Sequence, residues 1–309
     1  MNAPAELPRT PPVVFIVFNR PECTARSLAA IRAARPSKLY VVADGPRPDR
    51  PGDAARCAQV RALVEQGVDW PCEVIRDYAP ANLGCARRVS SGLDAVFARE
   101  SEAIILEDDC VPDPTFFPFC AELLERYRDE PRVAQIAGCS FQGEGRDAPA
   151  SYYFSRYPHC WGWATWRRTW RHYDHAMSAW PQARSEAWLA QTIPDPAERR
   201  VWAGCFDATA SGRIDSWAYR WTFALWRQGC LSVVPYRNLV SNIGFDGNAT
   251  HTRDLNPVAA LPVAFLPFPL VHPGAFTQDV AADERTSRRV FRPPSWTTRL
   301  RRRLQRIFA

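Results

Sequence analysis

The first 110 residues contain four short runs of β-branched and other apolar residues, separated by helix-like stretches. The runs are residues 13–18, Lys38–Ala43, 72–76 and 103–106, and the stretches between them are 23–34, 54–65 and 86–99. Strands that alternate with helices form βαβ units, whose neighbouring strands run parallel. Near-continuous apolar strands are typical of a sheet covered on both faces. The sequence therefore predicts an α/β fold with a mostly parallel sheet flanked by helices.

Polar residues follow each of the four runs. In chain order they are Asn19-Arg20, Asp44-Gly45, Asp77 and Glu107-Asp108-Asp109. Ligands bind beyond the carboxyl ends of the strands in an open parallel sheet. Any single strand can end in a polar turn without a function. Four such ends, one of them with three consecutive acids, predict a binding crevice at this edge of the sheet.

The balance of charges argues against a nucleic-acid-binding surface. The chain of 309 residues has 39 Lys and Arg against 33 Asp and Glu, a formal net charge of +6. Nine of the basic residues are Arg in 285–309, a stretch without acids, so the rest is slightly acidic. A nucleic-acid groove spreads its basic residues over the folded surface. With 46% hydrophobic and 23% charged residues, the composition also excludes global disorder.

The sequence contains no apolar run as long as the roughly 18–20 residues of a membrane-spanning helix. Residues 1–12 are Pro-rich and lack the basic and apolar regions of a secretory signal, which predicts a cytoplasmic protein. Its ten cysteines are then expected to be thiols. None lies in a Cys-x-x-Cys pair, which argues against a zinc ribbon or a thioredoxin-like site.

The composition changes near residue 150. Most of the tryptophans lie in 152–226, which predicts an irregular second half built on the sheet. Trp163, Trp166 and Trp170 recur at the spacing of a helix face, so we expect most of the tryptophans in the core, with Trp161 or Trp217 shaping a binding site. The Pro-rich stretch 257–273 is expected to be extended along the body. The predicted divisions are 1–150, 151–275 and 276–309.

The acid triplet has a chemistry of its own. Three adjacent carboxylates repel one another unless a cation or hydrogen bonds compensate their charge. Mg²⁺ and Mn²⁺ take oxygen ligands, commonly one or two protein carboxylates together with phosphate oxygens. The triplet thus suits a metal-bound nucleotide diphosphate. The alternative is that one acid caps a following helix over 115–127 and that the others are solvated.

The motifs around the triplet resemble those of GT-A glycosyltransferases, in particular bacterial family-2-like sugar transferases and the N-acetylglucosaminyltransferase I type. The similarity covers about residues 12–253 and follows the family order. Its motifs are Asn82-Leu83-Gly84-Cys85-Ala86-Arg87-Arg88, Ile105-Leu106-Glu107-Asp108-Asp109-Cys110, Pro112-Asp113-Pro114-Thr115-Phe116-Phe117, Gly162-Trp163-Ala164-Thr165-Trp166, Ser216-Trp217-Ala218-Tyr219-Arg220-Trp221, 238–245 and Ala249-Thr250-His251-Thr252.

The resemblance implies a GT-A (Rossmann-like) sheet with a nucleotide-sugar half and a Trp-rich acceptor half. It also implies a role for each matching residue. Asn19 and Arg20 would contact the nucleoside and phosphates, Asp44 the nucleoside, and Arg88 the diphosphate. Asp109 would bind Mn²⁺ or Mg²⁺, and Glu107 and Asp108 would orient the ribose and sugar. Thr250 and His251 would close over the diphosphate. For Arg88 the alternative is a helix arginine paired to Asp94 or a similar acid, and for His251 a simple loop hydrogen bond.

The sequence departs from the family pattern at Ala218, where an inverting enzyme of this type is expected to carry its catalytic base. Alanine cannot accept the proton of the acceptor hydroxyl. Asp215 lies three residues upstream, close to one helical turn, and we expect it to replace the missing acid. It would equally suit the N-cap of a helix over 216–227. Asp246 and Asp254 are further candidates.

The end of the sequence has a basic amphipathic pattern. Trp296, Leu300, Leu304, Ile307 and Phe308 share one helical face, and arginines cover much of the rest. Such a helix lies on anionic lipid, so we expect weak attachment to the inner membrane face, with a disordered solvated tail as the alternative.

Together these features predict a metal-dependent hexosyltransferase that moves a sugar from a nucleotide diphosphate, UDP first, to a glycan or lipid-linked acceptor with inversion. The product would be a surface polysaccharide, lipopolysaccharide or glycoprotein glycan. One alternative is a catalytically silent carbohydrate- or nucleotide-binding protein, because of Ala218. Another is a nucleotidyltransferase, although the N-terminal region lacks a Gly-rich, Lys-containing phosphate loop.

Overall fold

The computed structural model describes residues 10–143, 148–244 and 260–292. The strands within these ranges are β1 Val13–Val17, β2 Lys38–Ala43, β3 Glu73–Tyr78, β4 Glu102–Glu107, β5 Cys110–Pro112, β6 Val133–Ala137, β7 Tyr152–Ser155, β8 Trp163–Trp166, β9 Leu231–Pro235 and β10 Val240–Asn242. The helices are α1 Pro21–Ala34, α2 Asp53–Gly67, α3 Cys85–Phe97, α4 Phe116–Arg126, α5 Arg167–Trp170, α6 Trp180–Ala183, α7 Trp188–Thr192, α8 Pro196–Ala210, α9 Trp217–Arg227 and α10 Val280–Thr286, followed by a π-helical turn Ser287–Phe291.

One sheet of eight strands, among the residues described, forms the centre of the molecule. Its order is β3-β2-β1-β4-β8-β6-β9-β7, and β5 pairs with β10 in a separate antiparallel ribbon. The first four strands are mutually parallel, whereas β8 and β7 are antiparallel to their neighbours. Helices flank this mixed, mostly parallel sheet, so the predicted α/β class is confirmed.

The strand order reverses direction at β1. The chain proceeds from β1 to β2 and β3 on one side, then returns through α3 to place β4 on the other side of β1. Because both pairs are parallel, the residues after β1 and after β4 emerge at the same edge. Such a switch point leaves a crevice between the diverging connections. The fold therefore brings Asn19-Arg20 and the acid triplet together.

Both faces of the sheet are covered by apolar side chains. Val13, Phe15 and Val17 of β1 pack with α1, α2 and α4 on one face, while Val14 and Ile16 pack with α3 and α9 on the other. This alternation follows from the two-residue period of a strand. It also explains why the first four runs are apolar without interruption.

The tryptophans of the second half are mostly core residues, as expected, but the helical interpretation of their spacing is wrong for two of them. Trp163 and Trp166 lie in strand β8, where an odd spacing places them on opposite faces of the sheet. Trp163 stacks on Trp217 with ring centroids 5.3 Å apart. Trp221 is also buried there and donates to Gln135 Oε1 at 2.7 Å.

The C-terminal helix is bound to the body through two buried carboxylates. Asp283 accepts from the Arg156 amide at 3.1 Å and from Gln278 Nε2 at 2.6 Å, and Glu198 accepts from Ser287 Oγ and from Tyr157 OH at 2.7 Å. Buried carboxylates are retained only with such partners. Residues 280–292 are thus an integral part of the fold. No helix in the described ranges combines the length and apolarity needed to cross a bilayer.

Asp53, at the start of α2, organises the segment that follows β1. Its buried carboxylate accepts from Asn19 Nδ2 at 2.9 Å, Arg47 Nε at 2.6 Å and Arg56 Nη2 at 2.7 Å. The hydrogen bond from Arg47, aided by those from Arg56 and Asn19, holds the pKa of Asp53 well below its usual range. The charged form is therefore stabilised in the folded state.

Replacement of Asp53 by Asn should lower the free energy of unfolding by about 1.5–3 kcal/mol at pH 7, because hydrogen bonds to a charged group are lost. A depressed folded-state pKa stabilises the protein above the unfolded-state pKa of about 3.9, and this contribution is lost as the pH falls further. The difference between wild type and Asp53→Asn, measured by urea unfolding, should narrow below about pH 4. Asp69→Asn, which breaks an exposed pair with Arg32, is the matched control with little expected change. Equal unfolding midpoints for wild type and Asp53→Asn at pH 7 would contradict this role.

Candidate functional site

Arg20 joins the ends of the two central strands. Its guanidinium pairs with Asp108 and, through Nη1, with Asp109 Oδ2 at 3.0 Å. Burial alone would lower the pKa of Arg20, but the charges of Asp108 and Asp109 outweigh burial and raise it, so the side chain remains a cation. The predicted proximity of Asn19-Arg20 to the acid triplet is confirmed for Arg20, whereas the Asn19 side chain turns to Asp53.

The three acids point in different directions. Asp108 is 2% exposed and faces Arg20, while Glu107 accepts a hydrogen bond from Trp217 on the other side. Burial, reinforced for Glu107 by the neighbouring carboxylates, raises the pKa of both groups, and Arg20 opposes the rise. Successive side chains along a strand point to opposite faces of the sheet, and this separates Glu107 from Asp108. None of the three caps α4, since Asp113 bonds the Thr115 amide at 2.9 Å instead.

Asp109 is the acid best suited to a metal ion. Within the described ranges no three His, Cys, Asp or Glu side chains converge as a metal cage. Asp109 keeps 14% of its side chain accessible beside Arg20. A Cβ at Gly244 would lie 2.2 Å from Asp109 Oδ2 and 2.7 Å from Arg20 Nη1, so only glycine fits against this pair. One accessible carboxylate fits the mode in which Mg²⁺ or Mn²⁺ takes a single protein ligand plus phosphate oxygens.

Asp44 lies at the same sheet edge but is engaged with a neighbouring loop. Its amide donates to Val17 O at 3.1 Å, which fixes it beside the end of β1. The carboxylate accepts from Gly45 N, Leu83 N and Asn82 Nδ2 at 2.8–2.9 Å. Burial raises its pKa, against the lowering effect of these amides. Asp44 therefore organises the loop before α3.

Arg88 is buried and does not contact the acid triplet. Its guanidinium pairs with Asp77 Oδ2 at 2.5 Å and donates to Asp77 O at 3.0 Å. The expected alternative partner Asp94 instead accepts from Trp170 Nε1 at 2.8 Å. The charge of Arg88 lowers the pKa of Asp44, so the residue lies within electrostatic reach of the sheet edge.

Asp215 caps a helix, but not the one that follows it. Helix α9 begins at Trp217 after Ser216, whereas Asp215 Oδ1 accepts from the Ala86 amide of α3 at 3.1 Å. A Cβ at Gly84, whose φ is 82°, would lie 2.6 Å from Asp215 Oδ2. An acid at this position complements the positive end of the helix dipole. The expected N-cap of α9 is thus wrong.

The Cys85 thiol is within electrostatic reach of both Asp215 and the acid triplet. Burial raises the pKa of its thiol, and the charges of Glu107, Asp215 and Asp109 raise it further. Asp215 is nevertheless exposed, while Trp217, two residues on, is buried against Glu107. Asp215 is thus an exposed carboxylate held at the start of α3, and its charge and those of Glu107 and Asp109 act on the same thiol. All ten cysteines are free thiols, as expected.

Two predicted site residues, Thr250 and His251, lie outside the described residues, as do Asp246 and Asp254. The residues on either side of that segment are held at the site. Ile243 N donates to Asp109 O at 2.8 Å, and Ala260 N donates to Asn242 O at 3.1 Å. Two cavities of about 620 and 310 Å³ lie elsewhere, the larger at the amino ends of β1, β2 and β4.

Three residues that shape the site are not among the predicted site residues. Asp53 fixes Asn19, Asn82 binds Asp44, and Gly244 fits against Asp109. Asn82 lies in a motif noted above, but its partner is 38 residues away. The residue before a helix or after a strand carries little information about which distant side chain it meets.

Comparisons with known proteins give weak structural likenesses. No protein-family profile and no curated protein matches the chain. The chain is similar to a crystal structure of S. aureus TarS 1-349, with a TM-score of 0.42 and 11% identity over 74% of this chain and 59% of that one. It is also similar to the mannosyltransferase PcManGT from Pyrobaculum calidifontis in complex with GDP-Man and Mn²⁺, with a TM-score of 0.37 and 14% identity over 74% and 72%.

Proposed function

We propose that this protein is a GT-A-type glycosyltransferase that moves a sugar from a nucleotide diphosphate, UDP first, to a glycan or lipid-linked acceptor. The observation that carries the proposal is the contact of Arg20 with Asp108 and Asp109 at the switch point of the sheet. Dinucleotide and nucleotide ligands bind at such points in open α/β sheets. The resemblance of the motifs on both strand ends to sugar transferases supports the same class of ligand.

The nucleotide would lie along the edge from β2 to β4, in the half formed by residues 1–150. Asp44, its loop and Asn19 would meet the nucleoside. Arg20 would meet the diphosphate, because a guanidinium forms bidentate bonds with phosphate oxygens. Asp108 holds Arg20 from behind and Glu107 faces Trp217. By the resemblance both acids would orient the ribose and the sugar, Asp108 through its contact with Arg20.

Asp109 would hold Mn²⁺ or Mg²⁺, which when bound supplies electrostatic stabilisation of the leaving diphosphate. Arg20 would add positive charge at the same place. Arg88, which pairs with Asp77 in this structure, would also meet the diphosphate. Thr250 and His251 belong to the same proposal, because the described residues on both sides of their segment contact the site.

Asp215 would accept the proton of the acceptor hydroxyl in an inverting transfer. Its carboxylate is exposed and is held at the start of α3 by the Ala86 amide, and Ala218 leaves no acid at the family position. The acceptor would lie against residues 151–275, with Trp161 as a partly buried contact. The amide of Ala86 would hold the carboxylate in place during proton transfer.

The alternatives remain a catalytically silent nucleotide- or carbohydrate-binding protein and a nucleotidyltransferase. A donor panel with Mn²⁺, scored for free nucleoside diphosphate and for transferred sugar, separates the three. The silent protein would bind without turnover, and a nucleotidyltransferase would release pyrophosphate. A cytoplasmic location, the product class and weak attachment of the basic tail 276–309 to the inner membrane face are part of the same proposal.

Asp109→Asn should abolish the stimulation of nucleotide release by Mn²⁺ and reduce turnover by at least about a hundredfold, because the carboxylate charge that holds the metal is lost. The measurement is nucleotide release over a Mn²⁺ titration, with EDTA-treated wild type for comparison. Asp113→Asn keeps an acceptor for the Thr115 amide and is the matched control. Full Mn²⁺ stimulation in Asp109→Asn would remove Asp109 from metal binding.

Asp215→Asn should reduce turnover by about 10²–10⁴-fold with an unchanged melting temperature, because the amide oxygen still accepts from Ala86 but cannot take a proton. The donor KM should stay near the wild-type value. Asp215→Ala should in addition lower the melting temperature, since the α3 cap is lost. Normal turnover in a folded Asp215→Asn would exclude Asp215 as the base.

A further inference from the structure

An extended segment, residues 260–273, runs over the surface with one apolar face turned outward. We call it the strap. It contains no Asp, Glu, Lys or Arg. Leu266 and Leu270 are buried against the body, whereas Val263, Phe265 and Val271 are 37%, 63% and 57% exposed. Pro267 and Pro269 are exposed between them. The outward face of the strap is therefore a row of hydrocarbon side chains.

Hydrogen bonds prevent the strap from turning this face inward. Ala264 N donates to Asn238 O at 2.8 Å, and Leu266 N donates to Thr115 Oγ1 at 3.2 Å. Val271 N donates to Ser151 Oγ at 2.9 Å and its carbonyl accepts from Ser151 N at 2.7 Å. Residues next to these anchors keep a fixed direction because side chains alternate along an extended chain.

Two exposed arginines flank the strap. Arg237 Nη1 donates to Phe265 O at 3.3 Å, and Arg289 precedes Val290, which packs in one cluster with Leu261. Of the nearby acids, Asp113 accepts from the Thr115 amide, and Glu122, 3.3 Å from His272 Nε2, is under the positive charge of Arg126, which acts to lower its pKa. The sequence after Arg292 adds five more Arg and no acid. An apolar row beside a positive flank is complementary to an anionic lipid surface.

We propose that the strap is a membrane-contact edge, at which Val263, Phe265 and Val271 enter the lipid interface while Arg237 and Arg289 meet anionic headgroups. A second copy of this chain suits the face less well, because a stable dimer buries about 20–30 residues a side and the strap offers a single row. The proposal is independent of sugar transfer. It goes beyond the basic tail, since it assigns the contact to residues of the folded body.

The test is co-sedimentation of the full chain with vesicles of phosphatidylcholine, with and without phosphatidylglycerol. Wild type should partition onto the anionic vesicles, less so at high salt. The strap variant Val263→Ser/Phe265→Ser/Val271→Ser should lose about tenfold or more in partition coefficient. Leu83→Ser/Val201→Ser changes exposed apolar residues outside the strap and is the matched control, with unchanged partition.

The melting temperature and the oligomeric state show whether the apolar face of the strap instead packs against the chain itself or against a second copy. Since the changed side chains are exposed, the strap variant should melt as wild type does; the single variant Phe265→Ser, with a smaller but clear loss of partition, decides the matter if the triple variant does not fold. A chain truncated after Arg292 should keep a strap-dependent part of its binding. The proposal is overturned if the wild-type protein does not bind anionic vesicles, or if the strap variant has the same partition coefficient as wild type. If the strap variant binds vesicles normally but melts at a lower temperature, the apolar face packs against the chain itself and the proposal is overturned. If it binds vesicles normally but no longer forms a dimer, the face contacts a second copy and the proposal is likewise overturned.

Discussion

The arrangement of the sheet edge depends on the pairing of Arg20 with Asp108 and Asp109. Three consecutive acids at a strand end carry a repulsion that would destabilise the fold without compensation. The cation comes from the other strand at the switch point, so the same contact that compensates part of the charge of Asp108 and Asp109 also fixes the connection after β1 against the end of β4. Compensation of charge and the geometry of this sheet edge therefore depend on one residue.

The sequence predicted the elements of the first half because each signal was local. Apolar runs, helical stretches and polar strand ends identify β1 to β4 and α1 to α3, and their alternation implies the parallel order. Local signals do not predict the site, because its contacts join residues that are distant in the sequence. Asp215 contacts α3, 129 residues away, and Gly244 contacts Asp109 where β5 and β10 pair. No periodicity encodes such contacts. The spacing of Trp163 and Trp166 is also compatible with a helix, although both residues lie in strand β8.

The second half gains its order from aromatic packing and buried polar networks more than from regular strands. Helices α6 to α9 contribute side chains to a cluster that contains Trp180, Trp202 and Phe206. Glu198 and Asp283 then fasten the C-terminal helix to this cluster and to β7. Burial of two carboxylates is tolerated because each is surrounded by donors. The position of residues 280–292 on the body follows from these contacts.

The stacking of Trp217 on Trp163 has a consequence for the acid that precedes it. Asp215 is exposed, yet two residues later the chain is immobilised between aromatic rings, and its carboxylate is tied to a helix amide. The conformational entropy of this acid is therefore lost when the chain folds and not when a ligand binds. A rigid, water-facing carboxylate of this kind can engage a partner without a further entropic penalty of its own.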